Sequence, residues 1–151
     1  MNIVAELLHF EDFAEGQVYD LGRHSLNSDE IVDFASEFDP QPQHLDAEAA
    51  KSSILGGHAA SGWQLCALAM RMIVDGLLHR VASQGSPGVE EVQWRRPVLA
   101  GDELGLTGKV LGVRGSSKPD RGFVKFRFEM VRAGQMVMMF ESAIIVGRRG
   151  F

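Results

Sequence analysis

Cysteine is almost missing from this chain: Cys66 stands alone among 151 residues, so no internal disulfide can form and nothing asks for an oxidising compartment. Long apolar runs are missing as well. The longest in the central segment, Leu65 to Met70, falls far short of the roughly 20 residues that a membrane-spanning helix needs. There is no basic excess either. Fifteen Lys and Arg against 20 Asp and Glu leave a formal charge of −5, the wrong sign for a general binder of nucleic acid or anionic membranes. No repeat, low-complexity tract or linker interrupts the chain. The first residues, MNIVAELLHFEDF, carry Glu6, Glu11 and Asp12 and no basic region, which argues against a secretory leader. The five histidines show no metal-ligand spacing, so no metal is expected. What is present is 45% hydrophobic and 23% charged residues, enough for a real core in one domain spanning residues 1–151. The expectation is a soluble, cytoplasmic, single-domain protein.

Periodicity outlines the elements. Ile31, Phe34, Ala35 and Phe38 fall on one face of a helix, with Asn27 and Glu30 spaced as a capping pair at its start. Pro40 and Pro42 end that helix at Phe38 or Asp39, which leaves Asp39 to His44 as loop. A short turn of helix is expected after Asp46, its N-cap. The segment from Gly62 to about His79 is helical and apolar over most of its circumference, with only a narrow polar stripe of Gln64, Arg71, Asp75 and His79. Such a helix must be wrapped. The second half alternates with period two through Leu104–Val110 and Val124–Met130, then turns at Ala133-Gly134-Gln135 into Met136–Val146, a strand apolar on both faces. Val89–Arg96 and Gln17–Leu26 read as further strands. The order predicts an α+β, hot-dog architecture: a curved antiparallel sheet around one long central helix.

Two places carry candidate chemistry. Asp39 and His44 are an acid and a base on one proline-restrained loop, able together to position a water and shuttle a proton. An extended run would hold their Cα atoms up to roughly 15 Å apart, at about 3.1 Å per residue, so they converge only if the loop bends. The same six residues also read as a solvated polar loop. The second place is Ser61-Gly62-Trp63-Gln64 at the head of the long helix. Ser61 and Gln64 match a capping box, in which the Ser61 hydroxyl accepts from the Gln64 N–H and leaves the Gly62 and Trp63 amides free to stabilise an anion. Gly62, without a side chain, would let a substrate oxygen approach. A well-capped helix with its spare donors in water fits these residues too. His58 reads as part of a glycine loop and Cys66 as an inert core thiol. Arg95-Arg96, Lys118 with Arg121, and Arg148-Arg149 are basic pairs, any one of which could face the phosphates of an anionic ligand.

Asp39-Pro-Gln-Pro-Gln-His44-Leu-Asp, Ala50, Gly56-Gly57, Ala60-Ser-Gly62-Trp, Trp94-Arg-Arg-Pro-Val98 and Gly101-Asp-Glu103 together resemble the MaoC-like dehydratase family, which includes R-specific enoyl-CoA hydratases. The resemblance covers about Phe10 to Glu103. The family's signature places an Asp, a Pro three residues on, a His five on and a small residue six after the His; here these are Asp39, Pro42, His44 and Ala50. Phe38 and Gln41 replace the family's usual Gly and Asn, and Met70 stands where the helix often carries a polar residue. The resemblance implies hydration of a trans-2-enoyl-CoA. Asp39 and His44 would be the catalytic pair, and Gly62, flanked by Ser61 and Trp63, the oxyanion and substrate-binding turn. It also implies no cofactor beyond the coenzyme A of the substrate, and an acyl-CoA site at the junction of a homodimer. A hot-dog thioesterase is the nearest rival, but such enzymes commonly carry a carboxylate within the helix, and the first acid here, Asp75, lies more than three turns in. A non-catalytic acyl-CoA binding protein would not need Asp39 and His44 together.

Overall fold

A computed structural model of the chain describes residues 6–151; the first five residues of the stretch read against a leader lie outside them. Five strands form one antiparallel sheet: β1 (Val18–Ser25), β2 (Val89–Trp94), β3 (Glu103–Gly115), β4 (Arg121–Arg132) and β5 (Gln135–Gly147). Their order across the sheet is β1-β3-β4-β5-β2, so the three long strands lie side by side and β1 and β2 are the edges. The helices α1 (Ser28–Phe38), α2 (Pro42–Leu45), α3 (Ala47–Lys51) and α4 (Gly62–Gly76) all come between β1 and β2. The period of two in β4 is realised: Val124, Phe126, Phe128 and Met130 are buried while Lys125, Arg127 and Glu129 turn outward. Leu65, Leu68, Ala69, Met72 and Ile73 of α4, spaced three and four apart, join them in a single core with Leu104, Leu106, Met138 and Phe140. This is the expected hot-dog arrangement.

Local rules account for the small elements. The Asn27 side chain accepts the Glu30 N–H at 2.8 Å and the Glu30 carboxylate accepts the Asn27 N–H at 3.3 Å, so α1 starts with the predicted capping box. Asp46 caps α3 by accepting from the amides of Glu48 and Ala49. Among the described residues no helix is long and apolar enough to cross a membrane.

Four expectations need correction. Asp39–His44 is not all loop, because Pro42 seeds the one-turn helix α2 with His44 inside it. The long helix stops at Gly76, where Leu77 leaves helical geometry to bury its side chain; Leu78–Arg80 follows as a short 3₁₀ turn. The polar stripe is broken: Gln64 is buried, its amide donating to the Glu30 carbonyl at 3.0 Å, and only Arg71 and Asp75 remain as an exposed ion pair. The sheet and α1 cover only one side of α4, so Trp63, Met70 and Val74 face outward. β5 itself is largely covered within the chain: Val137 and Met139 on one face and Met138, Phe140 and Ile144 on the other are buried.

Candidate active site

Asp39 ends α1, its N–H donating to the Ala35 carbonyl at 2.9 Å, and Pro40 prevents another helical turn. The chain then reverses through α2. That reversal brings the two candidate side chains together: His44 Nε2 stands 3.3 Å from Asp39 Oδ2, and both side chains are largely shielded from solvent. On its other edge the His44 ring meets the Ala59 carbonyl, with Nδ1 2.7 Å from the oxygen. A carbonyl can only accept, so Nδ1 carries a hydrogen and Nε2 is the nitrogen left to exchange a proton within the site. Asp39 Oδ1 accepts from the Gln41 amide at 2.7 Å, and Gln43 in turn donates to Gln41 at 3.2 Å. The Gln41 hydrogen bond holds the Asp39 carboxyl below its usual pKa, helped by the Ser61 hydroxyl and by His44 and opposed by partial burial. Asp39 is therefore a carboxylate at neutral pH.

Asp39 and His44 open into a cavity of about 350 Å³ whose wall includes Gly62, Trp63, Trp94, Arg95 and Arg96. Ser61, fully buried, caps α4, but not in the predicted way. Its hydroxyl accepts from the Trp63 N–H at 3.3 Å, and the Gln64 side chain, which a capping box would turn back to the Ser61 N–H, donates instead to the Glu30 carbonyl of α1. The Trp63 amide is thus engaged, while the Gly62 N–H has no protein partner among the described residues. The place of the missing Gly62 side chain is itself filled, although Gly62 still lines the cavity. The Trp94 indole lies across it, its Nε1 donating to the Gly62 carbonyl at 2.9 Å, and a Cβ on Gly62 would sit 2.6 Å from Trp94 Cε2. Trp63 meets the same indole edge-on, ring centroids 5.1 Å apart.

Of the basic pairs, Arg95-Arg96 is the one that reaches this cavity. Arg95 rests its guanidinium on Gln93 Oε1, and Arg96 donates to the Met136 carbonyl; both partners are neutral, so the positive charge is oriented without being cancelled. Burial pushes the Cys66 thiol up, as expected of an unreactive thiol. No cluster of metal-ligating side chains occurs among the described residues. Sequence reasoning missed His58. It is not loose in its glycine loop: its Nε2 lies 2.6 Å from the His44 carbonyl. Nothing in the sequence signals a bond between a side chain and a backbone group 14 residues away.

Three comparisons with known proteins bear on this arrangement. A family model described as MaoC like domain matches residues 12–129. The chain is similar to a protein of Rhodospirillum rubrum named (R)-specific enoyl-CoA hydratase, with 27% identity over 150 residues that cover 95% of each chain. Among solved structures it is similar to a MaoC-like dehydratase from Rhodospirillum rubrum, at 39% identity and a TM-score of 0.88, covering 95% of this chain and 99% of that one. The R-hydratase PhaJ1 from Pseudomonas aeruginosa shares the fold at 23% identity and a TM-score of 0.76, covering 95% and 88%.

Proposed function

The chain belongs to the MaoC-like domain family, and we propose that it catalyses the R-specific hydration of a trans-2-enoyl-CoA, or the reverse dehydration of the 3-hydroxyacyl-CoA, with Asp39 and His44 as the catalytic pair. One observation carries the reading: a shielded carboxylate and an imidazole of fixed tautomer stand 3.3 Å apart on the wall of a cavity that also contains the Gly62 turn. The chemistry needs three things. The water oxygen bonds to C3 as its proton leaves, a proton reaches C2, and the thioester oxygen is stabilised while it carries enolate charge. Asp39 and His44 Nε2 share the water and the proton. The Gly62 N–H, at the positive end of α4, is the donor for the thioester oxygen. The R configuration follows the hydratase named among the relatives. The enzyme acts as a homodimer, needs no cofactor beyond the coenzyme A of its substrate, and takes neither nucleic acid nor membrane as a partner.

Crotonyl-CoA tests the reading in one assay, because water addition bleaches the enone absorbance whereas thioester hydrolysis releases a free thiol. Asp39→Asn and His44→Ala are each expected to lower kcat at least about 100-fold with KM nearly unchanged. The double variant should lose little beyond either single one, since groups acting on one water are not additive. Full activity in Asp39→Asn on every enoyl-CoA that the unaltered chain hydrates would refute the assignment, and thiol release without bleaching would turn it to a thioesterase.

A further inference from the structure

The mechanism above leaves His58 unused. The helix that carries His44 is only four residues long, and a helix this short does not hold itself, because closing the first turn fixes three residues for one hydrogen bond. Only the Pro42 carbonyl finds a partner in the helix itself, taking the N–H of the C-cap Asp46 at 2.9 Å; the carbonyls that follow lie at the end where an α-helix has no partners of its own. The Gln43 carbonyl is met from outside, by the Ala59 N–H at 3.3 Å. The His44 carbonyl takes His58 Nε2, at 2.6 Å. In the other direction the His44 ring donates to the Ala59 carbonyl. Residues 43–44 and 58–59 are therefore stapled by three bonds, two of them made by histidine side chains. The 58–60 strip is itself clamped, since Ala100 N–H donates to the His58 carbonyl and Ala60 N–H to the Val98 carbonyl, each at 2.9 Å. The carbonyl of His44 cannot donate, so His58 Nε2 carries the hydrogen, and its Nδ1 faces the Ser28 hydroxyl at 3.4 Å.

We infer that His58 is a positioning residue for hydration: by capping the His44 carbonyl it holds the one-turn helix that aims His44 Nε2 at Asp39. Its kinetic consequence rests on the proposed function; its structural consequence does not. Without the cap the His44 carbonyl turns to water, the turn loosens, and the imidazole loses both the Ala59 carbonyl and its line to Asp39. A displacement on the order of 1 Å at a reacting group can cost about 100-fold.

His58→Ala is expected to lower kcat about 10- to 100-fold while KM changes less than about twofold. His58→Gln, whose amide N–H can reach the place of Nε2, should recover most of that loss. A second readout needs no turnover. In nitrogen-15 spectra the His44 Nδ1–H, bonded to Ala59, should exchange slowly in the unaltered chain, lose that protection in His58→Ala and regain it in His58→Gln. The spectrum decides the structural inference even if the chain hydrates no enoyl-CoA, so failure of the functional reading is distinguishable from failure of this one. Undiminished kcat in His58→Ala, equal losses in the Ala and Gln variants, or an unchanged His44 ring signal would each overturn it.

Discussion

At the scale of single residues, the charge on Asp39 is set by its neighbours. Gln41 donates more strongly to the ionised carboxylate than to its acid form, so removing that donor raises the Asp39 pKa. Gln41→Ala should therefore move the acid limb of the kcat/KM profile to higher pH, read with an enoyl-CoA across the acid range. A limb that stays in place would show that Gln41 does not set the charge. The same hydrogen bond enters stability. A carboxyl depressed in the folded state contributes stability that is complete above its ordinary value of about 3.9 and is lost as pH falls through the lowered one. The sequence showed which residues to watch at this scale but not that they meet. An acid and a base five apart were legible, whereas their approach depends on a proline-seeded turn closed by Ala59 and His58, which come from beyond α3.

The elements show a different boundary between what was legible and what was not. Sheet and helices follow from periodicity because each has a wet and a dry face. α4 is apolar nearly all round, so composition could not tell Ile73, fully buried, from Val74, which points outward. Nor did the helix head reveal what lies over Gly62. There the edge strand β2 presses Trp94 onto the first turn of α4, and the glycine makes room for an indole. Gly62→Ala should accordingly destabilise the chain by about 1–3 kcal/mol, the usual result of overpacking. Because the nearest atoms to the added methyl all belong to Trp94, Trp94→Ala should relieve it. A double-mutant cycle in urea is expected to show favourable coupling of at least about 1 kcal/mol between the two substitutions. Strict additivity would mean that the indole yields freely and that the glycine serves some other approach, such as that of a substrate.

For the whole molecule, the unburied apolar surface argues for a second copy of the chain. The sequence pointed to this through the two-faced apolar β5, yet β5 is already largely covered within one chain. The uncovered residues are on α4 and β2: Trp63 is 61% exposed, Met70 49%, Val89 55% and Trp94 43%. α4 and β2 meet at both pairs: Trp63 and Trp94 touch, and Met70 and Val89 line the same small apolar cavity of about 190 Å³. β2 is also a sheet edge, whose free backbone groups invite pairing with another strand. A homodimer joined here would bury the apolar stripe and set the partner beside the cavity that holds Asp39 and His44. Sedimentation at micromolar concentration should therefore give twice the 16.6 kDa chain mass. Met70→Lys combined with Val74→Lys places two cations at positions of α4 that are each more than a third exposed, so circular dichroism should remain that of the folded chain. The pair should nonetheless shift sedimentation toward the monomer and lower crotonyl-CoA hydration in step with it. A stable monomer of the unaltered chain would refute the dimer; a monomeric variant with undiminished activity would instead show that each subunit carries a complete site.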